Sequence, residues 1–122
     1  GYNQVDIESV VRGIGVSHVS VMRPFNVKKS IATLKEAIDY NGVSVVIAQQ
    51  DCALLAKSLK KPKGRAFTVS DKCKNHRTCI NELACPAFYL EDGRVKINGG
   101  QCTGCSVCAQ VCPENAIVPL KE

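Results

Sequence analysis

Between Cys102 and Pro113 the chain reads Cys-Thr-Gly-Cys-Ser-Val-Cys-Ala-Gln-Val-Cys-Pro, four cysteines spaced C-x2-C-x2-C-x3-C-P. No other stretch limits the fold so tightly. The two short intervals put Cys102, Cys105 and Cys108 on one tight loop, where their sulfurs converge on a common centre. The longer interval sets a short helical offset that turns the thiolate of Cys112 elsewhere. This is the spacing that holds iron–sulfur cubes, and in chains with two cubes the fourth cysteine serves the other one. Pro113 ends the helix and leaves no unsatisfied N–H beside the cofactor. Four buried or disulfide-paired cysteines do not account for three such intervals followed by proline. A structural zinc knot favours two CxxC pairs separated by a longer insert, and that insert is missing.

A second cube needs a second motif. Upstream lies Cys73-Lys-Asn-His76-Arg-Thr-Cys79-Ile-Asn-Glu-Leu-Ala-Cys85-Pro86, with His76 where Cys105 stands and two extra residues before Cys85. A short apolar stretch precedes each copy, Ala66 to Val69 in one and Val95 to Ile97 in the other. Internal repetition of this kind predicts a pseudo-twofold, α+β ferredoxin-like domain holding two [4Fe-4S] clusters. Cross-ligation assigns Cys102, Cys105, Cys108 and Cys85 to one cluster. Cys73, Cys79 and Cys112 serve the other, with His76 facing the fourth iron. If His76 binds, a neutral imidazole replaces a thiolate; if it does not, a three-iron [3Fe-4S] cluster or a water-ligated corner results.

Eight cysteines in 122 residues would suggest disulfides in a secreted chain, but cofactor spacing points to a reducing, cytoplasmic setting. No run is long enough for a membrane helix, and no secretory signal stands at the start. The formal charge of +5 is not a nucleic-acid signal. A four-thiolate cube carries about two negative charges when oxidised, which brings the assembled protein near neutrality. The three Phe and three Tyr are not interleaved with the basic residues as a nucleic-acid surface requires.

In the front section Asp6 caps a helix carrying Ile7, Val10, Val11 and Ile14 on one face, closed by Gly13 and Gly15. Val16 to Val21 reads as a short strand ended by Pro24. Asn26 caps a longer helix with Val27, Ile31, Leu34 and Ile38 on one face, stopped by Gly42. Val43 to Ala48 is the valine-rich run of a strand in a parallel sheet, so the segment forms a βαβ unit. Two strands and two helices cannot cover both faces of such a sheet. Residues 1–59 therefore read as the closing α/β piece of a larger doubly wound domain, with the missing strands supplied by upstream residues or another chain. The start at Gly1 rather than Met fits processing or a fragment.

Asp51 opens a short helix through Leu54, Leu55 and Leu59, which runs into a basic, proline-broken linker at residues 60–65. The linker lysines are read as a solvated connection rather than a landing surface for an acidic carrier. Cys52, outside both motifs, is expected in a core, as free cysteines usually are. The ferredoxin-like domain then spans 66–122. Within it Glu91-Asp-Gly-Arg94 joins Phe88–Leu90 to Val95–Ile97 as a hairpin, and Ile117–Pro119 is placed to pair with residues 66–69. His18 reads as a strand residue without a catalytic partner nearby in sequence.

This order resembles the C-terminal end of the large subunit in the indolepyruvate:ferredoxin oxidoreductase family, thiamine-diphosphate 2-oxoacid oxidoreductases. The resemblance is carried by Gly13 to Phe25, by Val43 to Leu55, and by Cys85-Pro-Ala-Phe followed by the second motif. It implies electron transfer through two clusters, away from an arylpyruvate decarboxylated on thiamine diphosphate and Mg. An external ferredoxin would accept the electrons. The Gly-Asp-Gly metal-binding motif that holds thiamine diphosphate is absent from this sequence. That cofactor would sit on residues outside the sequence or on a partner chain, and no residue here is assigned to catalysis. Two other readings stand beside this one: a non-catalytic ferredoxin-like subunit of another redox complex, and a zinc-stabilised interaction module.

Overall fold

The computed structural model describes residues 4–58 and 64–120. The chain divides into two compact units, the first ending at Gln50 and the second beginning at Asp51. The division falls earlier in the chain than the linker expected at 60–65, most of which lies outside the described residues.

In the first unit, helix α1 (Ile7–Gly13) starts where Asp6 turns its carboxylate onto the Ser9 N–H, as the capping pattern requires. Arg12 pairs with Glu8 one turn back at 2.8 Å and donates to the carbonyls of Ser17 and Val19. One guanidinium thus ties the helix to the strand that follows. That strand, β1 (His18–Met22), lies parallel to β2 (Ser44–Ala48), with Val19 opposite Val45 and Val21 opposite Ile47. Between them runs α2 (Val27–Asp39), capped by the Asn26 side chain on the Lys29 N–H. The β1–α2–β2 order with a parallel pair is the unit read from the apolar spacing. Its coverage is thin. Val43, Ile38 and Ile14 are more than two-thirds exposed, and Ser30, bonded to the Arg23 carbonyl, is the one buried residue among those described in this unit. His18 stacks on Tyr40 with ring centroids 4.3 Å apart, and its Nδ1 lies 2.7 Å from Ser44 Oγ. The imidazole therefore serves as a lock between strand and helix end.

The second unit begins with α3 (Ala53–Ser58); Leu59, expected to extend this helix, lies outside the described residues. Cys52 is exposed, not buried as expected. It precedes α3 in irregular chain, and the general preference of free cysteine for cores has no local packing to act through there. Two antiparallel ladders follow. β3 (Phe67–Val69) pairs with β6 (Ile117–Pro119), and β4 (Phe88–Glu91) pairs with β5 (Arg94–Ile97). The strand before the first cysteine motif thus pairs with the strand after the second. The two inner strands form the hairpin, whose Asp92 and Gly93 both adopt positive φ, 49° and 74°, the handedness that suits a two-residue turn. Among the described residues of this unit the buried apolar side chains are few: Ala87, Val95, Cys102, Ala116 and Ile117. A core of that size supplies little stability to so short a segment, and small domains of this kind lean on a cofactor.

Candidate metal centre

The two cysteine motifs fold alike, residue by residue. Two positions past the first cysteine of each, Asn75 and Gly104 have φ of 60° and 74°. Two further on, Arg77 and Ser106 are left-handed again, at 61° and 64°, and each caps the helix that follows. These helices, α4 (Thr78–Asn81) and α5 (Val107–Val111), carry Cys79 and Cys108 at matching places. The two C-P endings also match: Phe88 N donates to Cys85 O and Asn115 N to Cys112 O, each at 3.1 Å. His76 therefore occupies the position that Cys105 holds in the other copy. Left-handed backbone at non-glycine residues is costly, and such strain gathers at ligand sites.

The loop at Gly104 is pressed against the chain that leads into β3. A Cβ on Gly104 would stand 2.5 Å from the Gly64 carbonyl carbon, and one on Gly64 would stand 2.6 Å from Gly104 O. Only glycine fits on either side of that approach.

Thiol electrostatics reveal which cysteines are neighbours. Cys108 is pushed up to about 11, first by burial and then by the like charges of Cys105, Cys102 and Cys85. Cys79 is also raised, by burial and then by Cys73 and Cys112. Each group of thiols thus includes the C-P cysteine of the opposite motif. Thiols so crowded do not ionise together without a counter-charge, and polynuclear iron supplies one. The donor set fits a sulfur-ligated iron cluster in this respect. Among the described residues no three His, Cys, Asp or Glu side chains close to the spacing of a single metal ion. A cluster lies between its thiolates and keeps them further apart than one ion does.

The sulfurs also meet backbone donors. Asn75 N lies 3.4 Å from Cys73 Sγ, Ala116 N lies 3.4 Å from Cys112 Sγ, and Phe67 N lies 3.5 Å from Cys102 Sγ. Cys102 is buried, Cys85 is exposed, and the rest lie between. A small cavity is lined by Cys73, Cys79, Cys112 and His76 together with Glu114. Here a residue that the motifs do not contain enters the site. His76 Nε2 lies 3.0 Å from Glu114 Oε1, and Lys74 Nζ lies 3.2 Å from Oε2. Those two hydrogen bonds hold the Glu114 carboxyl below its ordinary value. The signal for Glu114 in the sequence was slight: its place two residues past Cys112, beyond the proline.

A model of the 4Fe-4S binding domain family matches residues 95–118, which contain Cys102, Cys105, Cys108 and Cys112. Indolepyruvate oxidoreductase subunit IorA of Archaeoglobus fulgidus is 42% identical over 120 residues, covering 97% of this chain and 19% of that protein. The chain is similar to a segment of IorA over nearly its whole length. IorA of Thermococcus kodakarensis is 38% identical over 125 residues, with 98% and 19% covered. IorA of Methanothermobacter thermautotrophicus is 39% identical over 117 residues, with 95% and 18% covered. The chain thus spans less than a fifth of the length of these relatives, and both units fall within the stretch similar to IorA. No solved structure matches the chain. None of the described helices is long and apolar enough to cross a membrane.

Proposed function

We propose that this chain conducts electrons through two iron–sulfur clusters as the C-terminal part of the large subunit of an indolepyruvate-type 2-oxoacid oxidoreductase. The observation that carries the reading is the pair of cysteine loops that fold alike, with Cys112 of one motif lining a cavity beside Cys73 and Cys79 of the other. The like-charge influence of Cys85 on Cys108 supports the reciprocal grouping. Cross-ligation by two C-P cysteines calls for that grouping. The first set holds one [4Fe-4S] cluster; Cys73, Cys79 and Cys112, with His76, hold the other.

A bound cluster supplies one-electron chemistry with little rearrangement. The protein's residues do the rest. Amide donors from Asn75, Ala116 and Phe67 favour the more negative, reduced state at the sulfurs they face. Burial of Cys102 and Ala116 keeps water from one side, while exposed Cys85 leaves a side open for exchange with a carrier such as ferredoxin.

The sequence lacks the Gly-Asp-Gly motif that holds thiamine diphosphate, and no step of the carbon chemistry is assigned to these residues. That cofactor, with Mg, belongs to the rest of the oxidoreductase. The same remainder completes the doubly wound domain of which the first unit is the closing piece, and it covers the exposed Ile14, Ile38 and Val43. The setting is cytoplasmic.

Anaerobic purification tests the function directly. The cluster-loaded protein should be brown, hold close to eight irons per chain, and bleach with dithionite. It should not oxidise 2-oxoacids when thiamine diphosphate and coenzyme A are added without a partner. A colourless, zinc-loaded protein would refute electron transfer; decarboxylation by this chain alone would refute the division of labour.

A further inference from the structure

The feature of this site that neither the motifs nor the likeness to IorA assigns is the carboxylate of Glu114. It stands two residues beyond Cys112, yet it faces the opposite motif. Both of its oxygens are engaged from the Cys73 loop, Oε1 by His76 Nε2 at 3.0 Å and Oε2 by Lys74 Nζ at 3.2 Å. The Glu114 side chain is one-quarter exposed and the imidazole is half exposed. The pair lines the same small cavity as Cys73, Cys79 and Cys112.

We propose that Glu114 is the positioning residue of the histidine-bearing cluster: it fixes the tautomer and the rotation of His76 so that Nδ1 is presented to the fourth iron. This inference rests on the reading of His76 as a ligand. A carboxylate only accepts hydrogen bonds, so the nitrogen facing it carries the proton. In a neutral ring the bond to Oε1 makes Nε2 the donor and leaves the lone pair on Nδ1. Metal-binding histidines commonly show this arrangement, with the far N–H given to a carboxylate that orients the ring and raises its basicity. Nδ1 is also the nearer nitrogen to the backbone. Using it narrows the difference in reach between imidazole and the thiolate at the matching position, Cys105, so that one loop shape serves both. Lys74 completes the device by holding the second oxygen, which keeps the carboxylate turned towards the Cys73 loop.

A surface ion pair of the same length is the plain alternative, and such pairs contribute little. It differs in what it predicts for the cluster. The test uses the anaerobically purified, cluster-loaded protein and pulsed EPR of the reduced state, which reads the nitrogen coupling of a bound imidazole. The signal of the cluster on Cys102, Cys105, Cys108 and Cys85 serves as a control for folding. Wild type should show the nitrogen coupling. In Glu114→Ala it should be lost or broadened, and oxidation should give a three-iron signal while the control cluster persists. Glu114→Gln keeps an acceptor oxygen for Nε2–H, so the coupling should survive. Its cluster potential should rise, because a negative charge beside the ligand is gone. Unaltered coupling and potential in Glu114→Ala and Glu114→Gln would overturn the positioning role and leave His76 as a ligand. No nitrogen coupling in wild type, with His76→Ala indistinguishable from it, would overturn the ligand reading and the positioning role with it.

Discussion

On the proposed cross-ligation, single residues decide where each cofactor attaches. Cys85→Ala should abolish chiefly the cluster of Cys102, Cys105 and Cys108, and Cys112→Ala that of Cys73 and Cys79. Cluster-resolved EPR of each variant checks this; damage confined to the cluster nearest in sequence would exclude cross-ligation. Gly104 offers a second test. Its φ of +74° opposes a side chain, and so does the Gly64 carbonyl carbon, 2.5 Å from where a methyl would stand. Gly104→Ala should cost on the order of 3 kcal/mol. Gly93→Ala, at the same φ but facing open space, should cost about 1 kcal/mol. Denaturant midpoints of the two loaded variants give the comparison. The likeness of the two motif loops was legible because the cysteine intervals are local and stereotyped. Glu114 was not, because its partner lies in another loop and no interval connects them. Left-handed Arg77 and Ser106 were equally hidden, since neither residue type announces that conformation.

Elements followed the sequence wherever a local rule governed them. Asp6 and Asn26 cap their helices, and Asp92-Gly93 closes the hairpin. Asn26→Ala should therefore weaken α2 by about 1 kcal/mol. Amide exchange at Ser30 and Ile31 should then quicken roughly fivefold if α2 opens locally; unchanged exchange would mean that the helix opens only with its whole unit. The pairing of β3 with β6 was also anticipated, from the repeat rather than from either strand, since three-residue strands carry almost no signal alone. Where the rules are statistical and long-range they gave less. The exposure of Cys52 and the assignment of α3 to the second unit depend on contacts that no local pattern encodes.

At the scale of the molecule, the two units should part company when iron is removed. The second has a core of a few small side chains and several thiols that repel one another as anions. Chelation under reducing conditions should strip amide protection from Val95 and Ile117 and leave whatever protection Val45 and Val46 have in the loaded protein unchanged, because on the proposed reading the metal couples to the folding of the second unit. Persistent protection at Ile117 in the iron-free protein would show a self-sufficient core. The outer ladder has a consequence in time as well as in space. Leu120 N donates to Ala66 O at 2.7 Å, and Ser70 N to Ala116 O at 2.8 Å, so the chain before the first cysteine motif is sewn to the chain after the second. While the ribosome is still making the chain, β3 has no partner and Cys73 and Cys79 await Cys112. Domains generally fold as units during synthesis, but this one cannot begin until Ile117–Pro119 has been made. On the proposed reading, cluster insertion then waits until Pro119 has been made. A chain stopped after Pro113, with every cysteine intact, should emerge from the cell colourless.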